Sequence, residues 1–140
     1  MPILNYTTKV PATKTVGEIQ EVLAKAGASK IMIDYIDREP VAVSFLAIMQ
    51  NGTELSFRLP CDWEGVLAAL GRDKVERKFL TPEHAKMVAW RTVKQWVEAQ
   101  LAFIEAEQAT MAQVFLPYAV TSTGETMYDR LINDSKRLLT

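Results

Sequence analysis

The chain has 140 residues, of which 49% are hydrophobic and 24% charged, the composition of an ordinary globular domain with a real core. Sixteen basic and seventeen acidic residues give a net charge of −1, so any polyanion-binding function depends on how the charges are distributed. A single cysteine, Cys61, excludes an intrachain disulfide and a cysteine-rich metal site. This cysteine content suits a reducing cytosol. We expect neither a signal peptide at the N-terminus nor a membrane-spanning segment.

The chain begins with a predicted strand followed by a predicted helix. Residues 3–8 (ILNYTT) are expected to form a short strand. Residues 15–27 carry apolar side chains at helical spacing, and Gly27 is a natural stop. The pair Thr15 and Glu18 fits a capping box at the start of this helix.

Three further strands are predicted next. Residues 30–36 (KIMIDYI) are rich in β-branched and aromatic types, and residues 41–49 form a nearly continuous apolar run. Residues 54–60 (ELSFRLP) alternate between apolar and polar side chains. Because Asn51-Gly52 tolerates positive φ angles, it predicts a type I′ hairpin turn before the last strand.

The second half of the chain is predicted to be helical. A short helix closes at Gly71, and Thr81 followed by proline opens a long helix that meets no breaker until Pro117, with a possible interruption near Ala109. Residues 125–139 form a last, weaker helix. The fold class is therefore α+β in a single domain 1–140: a β-α-β-β-β-α unit (1–71) with an antiparallel-rich sheet, and a helical extension (81–140).

The long helix carries a wide apolar face. Its large side chains recur every three or four residues, which is typical of a core face or an oligomer interface rather than of a base-stacking surface. We therefore expect self-association through this helix. The face comprises Trp90, Val93, Trp96, Val97, Leu101 and Ile104.

The connector and the first turns of the long helix are locally basic. If these cations share one face, they could neutralise phosphates and bind DNA or RNA without sequence preference. An ordinary solvated surface is the alternative interpretation. The candidate nucleic-acid-binding residues are Arg72, Lys74, Arg77, Lys78, Lys86, Arg91 and Lys94.

No pattern of residues predicts catalysis, a metal or a cofactor. His84 is the only histidine and, near a helix start, is expected to be an exposed surface residue. Four acids lie on or beside predicted strands, but no motif fixes their relative geometry: Asp34, Asp37, Glu39 and Glu54. The glycines do not form a phosphate-binding motif.

Several segments, in order along almost the whole chain, resemble a family of small uncharacterised proteins encoded by bacteriophages, prophages and some bacterial genomes. They are ILNYTTKV, KTVGEIQEVLAKAGA, FRLP, AWRTVKQWVEAQLAFIEA, VFLPYA and ETMYDRL. The resemblance implies a small accessory protein of a mobile element, working in the cytoplasm of a bacterial host. It carries over no functional residues, because the family has no established activity.

Three hypotheses remain open from the sequence. The first is a non-enzymatic accessory protein that binds nucleic acid through the basic segment 72–94. The second is a protein-interaction module that inhibits or modulates a host enzyme or defence component. The third is an enzyme or small-ligand binder with Asp34, Arg58 or Tyr118 in a cleft.

Overall fold

The computed structural model describes residues 2–134 and has the predicted α+β architecture. Three strands, β1 (Lys30–Ile36), β2 (Glu39–Ile48) and β3 (Glu54–Pro60), form an antiparallel sheet in the order β1-β2-β3. The helices of this part of the chain are α1 (Ala12–Lys25), α2 (Trp63–Arg72), α3 (Pro82–Glu105), α4 (Met111–Phe115) and α5 (Met127–Asn133). Helix α5 ends at Asn133, and positions 135–139 of the predicted last helix lie outside the described residues.

The N-terminal segment 3–8 does not form the predicted strand. Asn5 has a φ of 69° and the chain turns there, so its backbone cannot continue an extended ladder. The segment is held against helices instead: the Ile3 N–H donates to Asp73 at 3.0 Å, and the Asn5 amide donates to Gln95 at 3.0 Å. Within residues 2–134 the sheet therefore has three strands.

Helix α1 starts earlier than the Thr15–Glu18 capping box predicts. It begins at Ala12. The preceding residue, Pro11, has an extended backbone with a φ of −58° and a ψ of 145°. Thr15 is consequently inside the helix and fully buried, and its hydroxyl lies 3.5 Å from the Pro11 carbonyl oxygen. The predicted capping box is thus wrong, and Glu18 is left free to contact another helix.

The type I′ turn predicted for the β2–β3 hairpin occurs in the β1–β2 hairpin instead. At Asn51-Gly52 only Gly52 has a positive φ, 86°, and its N–H donates to the Met49 carbonyl at 2.9 Å. Asn51 acts through its side chain, which accepts from the Thr53 N–H at 3.0 Å. The predicted type I′ turn is therefore not formed at this position.

The turn between β1 and β2 has the left-handed backbone instead. Asp37 and Arg38 have φ angles of 52° and 67°, between the paired residues Ile36 and Glu39. Two consecutive positive φ angles in a two-residue loop are the requirement of a type I′ turn.

The core lies between the inner face of the sheet and helices α1, α3 and α4. Alternate residues of each strand point inward, and the long helix crosses them with its apolar face. Helix α1 packs along α3, and α2 packs on α3 as well. The largest fully buried side chains include Trp90, Phe45, Phe57, Phe115, Ile19, Leu23 and Leu59.

Helix α3 is the predicted long helix, with the predicted Thr81 cap accepting from the His84 N–H at 3.1 Å. It ends at Glu105, and Glu107 with a φ of 61° turns the chain. Thr110 and Gln113 then form a capping box that starts α4.

Candidate functional site

The seven basic candidates do not form one free positive face. Arg91 and Lys94 on α3 face Glu18 on α1, at 3.3 Å and 3.2 Å, and only 19% and 15% of their side chains are exposed. Lys94 also lies 3.4 Å from Glu98 on its own helix. These two cations are therefore occupied between helices and are poorly placed to contact a phosphate.

The Glu18 carboxylate responds to these partners. Its pKa lies below the ordinary value of 4.5, chiefly because the Lys94 ammonium donates a hydrogen bond to it. Burial opposes this effect, whereas a hydrogen bond from the Arg91 guanidinium and the positive charges of both cations lower the pKa further. The arrangement is an inter-helix ion-pair cluster.

Lys86 is withdrawn from the candidate site in a similar way. Its ammonium pairs with Glu39 of β2 and lies 5.1 Å from the centre of the Trp63 ring. The cluster joins α3, α2 and the start of β2, so it has a structural explanation.

Four basic candidates remain exposed, at the end of α2 and in the connector that follows it: Arg72, Lys74, Arg77 and Lys78. Lys78 lies 3.4 Å from Glu76 and 5.1 Å from the Phe79 ring centre. The exposed candidate cations are thus confined to the short segment 72–78. We call these four residues the connector cations. They are four residues close together in sequence rather than a face that extends along α3.

The tryptophans of α3 are packed inside the protein. Trp90 is 2% exposed, and Trp96 contacts Phe115 and Tyr118 edge-to-face at ring distances of 5.5 Å and 5.6 Å. Val97 is fully buried in the same core. Val93, Leu101 and Ile104 are partly buried against it. Most of the apolar face that suggested self-association is therefore covered within the chain.

His84 is not the exposed residue that the sequence suggested. It is 7% exposed, its Nε2 lies 2.5 Å from the Tyr6 carbonyl oxygen, and its ring stacks on Phe79 at 4.7 Å. The N-terminal segment covers His84. Its position in the first turn of a helix gives no indication of this cover. Because its Nε2 is used in this hydrogen bond, His84 has an architectural role.

The acidic candidates do not converge. Asp34 lies within β1, Asp37 in the following turn, and Glu54 at the opposite end of the sheet, paired with Ile48. Glu39 is held by Lys86. Within residues 2–134, no group of three histidine, cysteine or acidic side chains is placed to hold a metal ion.

Cys61 is a packed thiol. Burial, with a smaller contribution from the neighbouring Asp62 carboxylate, raises its pKa to about 12 from 9.0. At neutral pH almost no thiolate is present, so Cys61 is unsuited to be a nucleophile.

A cleft with a volume of about 950 Å³ lies between the β2–β3 hairpin loop, the end of α1 and the α3–α4 junction. Glu107 is the only ionisable side chain in its lining, which otherwise consists of apolar and uncharged polar groups such as Met49, Gln50 and Thr110. None of Asp34, Arg58 and Tyr118 lines it. Tyr118 lines a separate recess of about 290 Å³, and Arg58 donates to the Gly124 carbonyl at 3.0 Å. The residues proposed for an enzyme site are therefore not brought together.

Strand β1 carries three exposed large apolar side chains. Met32, Tyr35 and Ile36 are 60%, 58% and 63% exposed. Strand β1 is at the edge of the sheet, and no strand of residues 2–134 pairs with its outer side. The other edge is different: Ala119 bridges Phe57 of β3, so the following segment covers that side. In the part of the chain that the structure describes, the sheet thus has one covered and one open edge.

Sequence reasoning identified strand 30–36 but not its exposure. A strand rich in isoleucine and tyrosine is equally compatible with a central or an edge position. The available signal was Tyr35-Ile36 immediately before the turn, where apolar side chains have few neighbours to cover them.

Within residues 2–134, no helix is long and apolar enough to cross a membrane. No protein-family model, curated protein or solved structure matches this chain.

Proposed function

We propose that this chain is a non-enzymatic protein-interaction module, an accessory protein of a phage or other mobile element that modulates a protein of its bacterial host in the cytoplasm. The observation that carries the proposal is the exposed pair Tyr35 and Ile36 at the open edge of the sheet. Large apolar side chains next to unpaired strand backbone are a common feature of protein-binding surfaces. The order of motifs that resembles the phage-encoded family supports the biological context.

The arrangement of the charged groups also favours a protein partner. Arg91, Lys94 and Lys86 have acidic partners within the chain, so their charges are already compensated. The acidic candidates are dispersed, and Cys61 is protonated at neutral pH. An interaction surface requires none of these groups to be reactive.

A capture experiment with matched variants tests the proposal. The tagged wild-type chain is expected to retain a stoichiometric partner from a bacterial host lysate, and the Tyr35→Ser/Ile36→Ser double variant to lose it. Leu4→Ser is the control, because Leu4 is 65% exposed on the N-terminal segment, away from the sheet edge. Equal thermal unfolding of the three proteins shows that the fold is intact. Recovery of the same partner by the double variant would contradict the proposal.

A second candidate function, nucleic-acid contact, is favoured by the connector cations. Residues 72–78 carry four exposed basic side chains against two acidic ones, so the segment is locally positive even though the net charge of the chain is −1. Contacts of this kind depend on salt, because each neutralised phosphate releases counterions.

Mobility-shift titrations with labelled single- and double-stranded DNA and RNA at low salt test this second function. The Arg72→Glu/Arg77→Glu variant is expected to bind more weakly than the wild type. The Lys9→Glu/Lys14→Glu variant, which makes the same charge change at exposed positions elsewhere, should bind nearly as well. Absence of wild-type binding at micromolar protein would remove this function.

A further inference from the structure

The backbone geometry shows which peptide groups of β1 point to the open edge. The Ser56 carbonyl accepts from Val120, on the far side of β3 from β2. Peptide groups alternate in direction along a strand, so the N–H and C=O groups of Phe57 point toward β2. Those of its partner Phe45 point toward β3. The N–H and C=O groups of Ser44, which is next to Phe45, therefore point toward β1.

The same alternation continues into β1. Met32 is paired with Ser44, so Met32 directs its peptide groups toward β2. Leu46, two residues from Ser44, should point its peptide groups to the same side. Its carbonyl does so, because it accepts from the Ser29 N–H at 2.9 Å on the β1 side. Ile31 and Ile33 consequently present their N–H and C=O groups outward.

We propose that the occupant of this edge is a second copy of the chain, paired β1 to β1 in antiparallel register about Met32. In that register Ile31 of each copy faces Ile33 of the other, and these are the residues whose peptide groups point outward. The result is a continuous six-stranded sheet with a twofold axis between the two Met32 side chains. The two proposals divide this edge: the second copy pairs with the backbone of residues 30–34, and the host protein contacts the Tyr35 and Ile36 side chains, which the dimer leaves exposed.

The side chains are complementary to themselves in this register. Lys30 of each copy lies opposite Asp34 of the other, so two oppositely charged cross-strand pairs form. Lys30 is exposed and Asp34 half-buried, and within residues 2–134 neither takes part in an ion pair. The charge pattern thus selects the antiparallel arrangement centred on Met32.

The apolar side chains fit the same arrangement. Ile31 and Ile33 face the core and are only partly buried, so pairing extends the apolar inner layer across the axis. Met32, which is 60% exposed on the outer face, gains its symmetric copy as a neighbour. Pairing ends after Asp34, where the sheet register shifts, so Tyr35 and Ile36 remain outside the paired segment.

Charge reversal tests the register. Sedimentation equilibrium of the wild type at tens of micromolar should give twice the 15.7 kDa chain mass. Lys30→Glu and Asp34→Lys should each weaken the dimer about tenfold or more, because both symmetric pairs become repulsive. Lys14→Glu, an exposed lysine on α1, should leave the mass unchanged.

Two further samples separate the proposed register from a general charge effect. The double variant Lys30→Glu/Asp34→Lys should recover the dimer, and an equimolar mixture of the two single variants should form heterodimers. A monomeric wild type, single variants with unchanged mass, or a mixture that stays monomeric would each overturn the proposal. The Tyr35→Ser/Ile36→Ser variant should remain dimeric, so loss of host partner and loss of the dimer are read independently.

Discussion

The guanidinium of Arg91 on α3 lies 3.3 Å from the carboxylate of Glu18 on α1, across the interface between the two helices. The Lys94 ammonium shares that carboxylate at 3.2 Å, and the Arg91 guanidinium also lies 3.4 Å from the Thr15 hydroxyl. One acid therefore compensates two poorly exposed cations. Arg91 and Lys94, two of the candidate nucleic-acid-binding residues, are therefore part of the packing between α1 and α3.

Replacing Glu18 by Gln should lower the melting temperature. The amide keeps the size of the side chain but leaves Arg91 and Lys94 close together without the shared negative charge. Glu21→Gln is the matched control, because Glu21 is an exposed acid on the same helix. Thermal denaturation at pH 7 measures the difference. A Glu18→Gln variant as stable as the Glu21→Gln variant would contradict the stabilising role of the cluster.

The same carboxylate should make stability depend on pH in a defined window. The pKa of Glu18 in the folded state is below the ordinary 4.5, so the folded state holds the ionised form more strongly than the unfolded state does. This stabilisation is present above about pH 4.5 and is lost as the pH falls through the lower folded-state pKa. The gap in unfolding free energy between wild type and Glu18→Gln should therefore be constant near neutral pH and shrink below pH 4.5. A gap that stays constant down to pH 3 would exclude Glu18 as its source.

The elements that were predictable from the sequence are those with strong local patterns. Strands 30–36 and 54–60 and the Thr81 cap follow from alternation and capping chemistry. The Thr15–Glu18 pair shows the limit of such signals. It has a local explanation as a capping box, yet the helix begins at Ala12 and Glu18 bonds to a helix more than seventy residues away.

The candidate site could be predicted only in part, for a similar reason. The sequence predicts a basic segment, but whether Arg91 faces solvent depends on where α1 packs, which no local pattern encodes. His84 was misassigned because its cover is the N-terminal segment, predicted as a strand but turned at Asn5. Whether β1 lies at the edge or the centre depends on the whole sheet, so the sequence indicates the exposure of Tyr35 only weakly, by its position just before a turn.

Removing the His84 side chain should loosen the N-terminal segment. His84→Ala loses the hydrogen bond to the Tyr6 carbonyl and the contact with Phe79, which we expect to lower the unfolding free energy by about 1–3 kcal/mol. His84→Gln should retain more stability, because its amide N–H can replace the Nε2 donor. Urea denaturation measures the change, and hydrogen exchange at residues 3–8 should rise in the alanine variant. Unchanged exchange in that segment would show that His84 does not hold it.

The β1–β2 turn should be improved by glycine. Arg38 has a φ of 67°, a left-handed conformation that costs a residue with a Cβ about 1–2 kcal/mol, whereas glycine adopts it readily. Part of this gain is offset by the greater freedom of glycine in the unfolded chain, so Arg38→Gly should raise the unfolding free energy by up to about 1 kcal/mol. The exposed Arg38 side chain makes no hydrogen bond or ion pair within residues 2–134, so little is lost with it.

Gly52→Ala provides the opposite comparison at the other hairpin. Gly52 has a φ of 86°, and a Cβ there would meet no atom within 4 Å, so any effect comes from backbone conformation alone. We expect it to lower the unfolding free energy by about 1 kcal/mol. Urea titrations with unchanged m-values compare the two variants, and midpoints should move in opposite directions. If Arg38→Gly lowers the midpoint, the arginine side chain stabilises the turn by more than its backbone conformation costs.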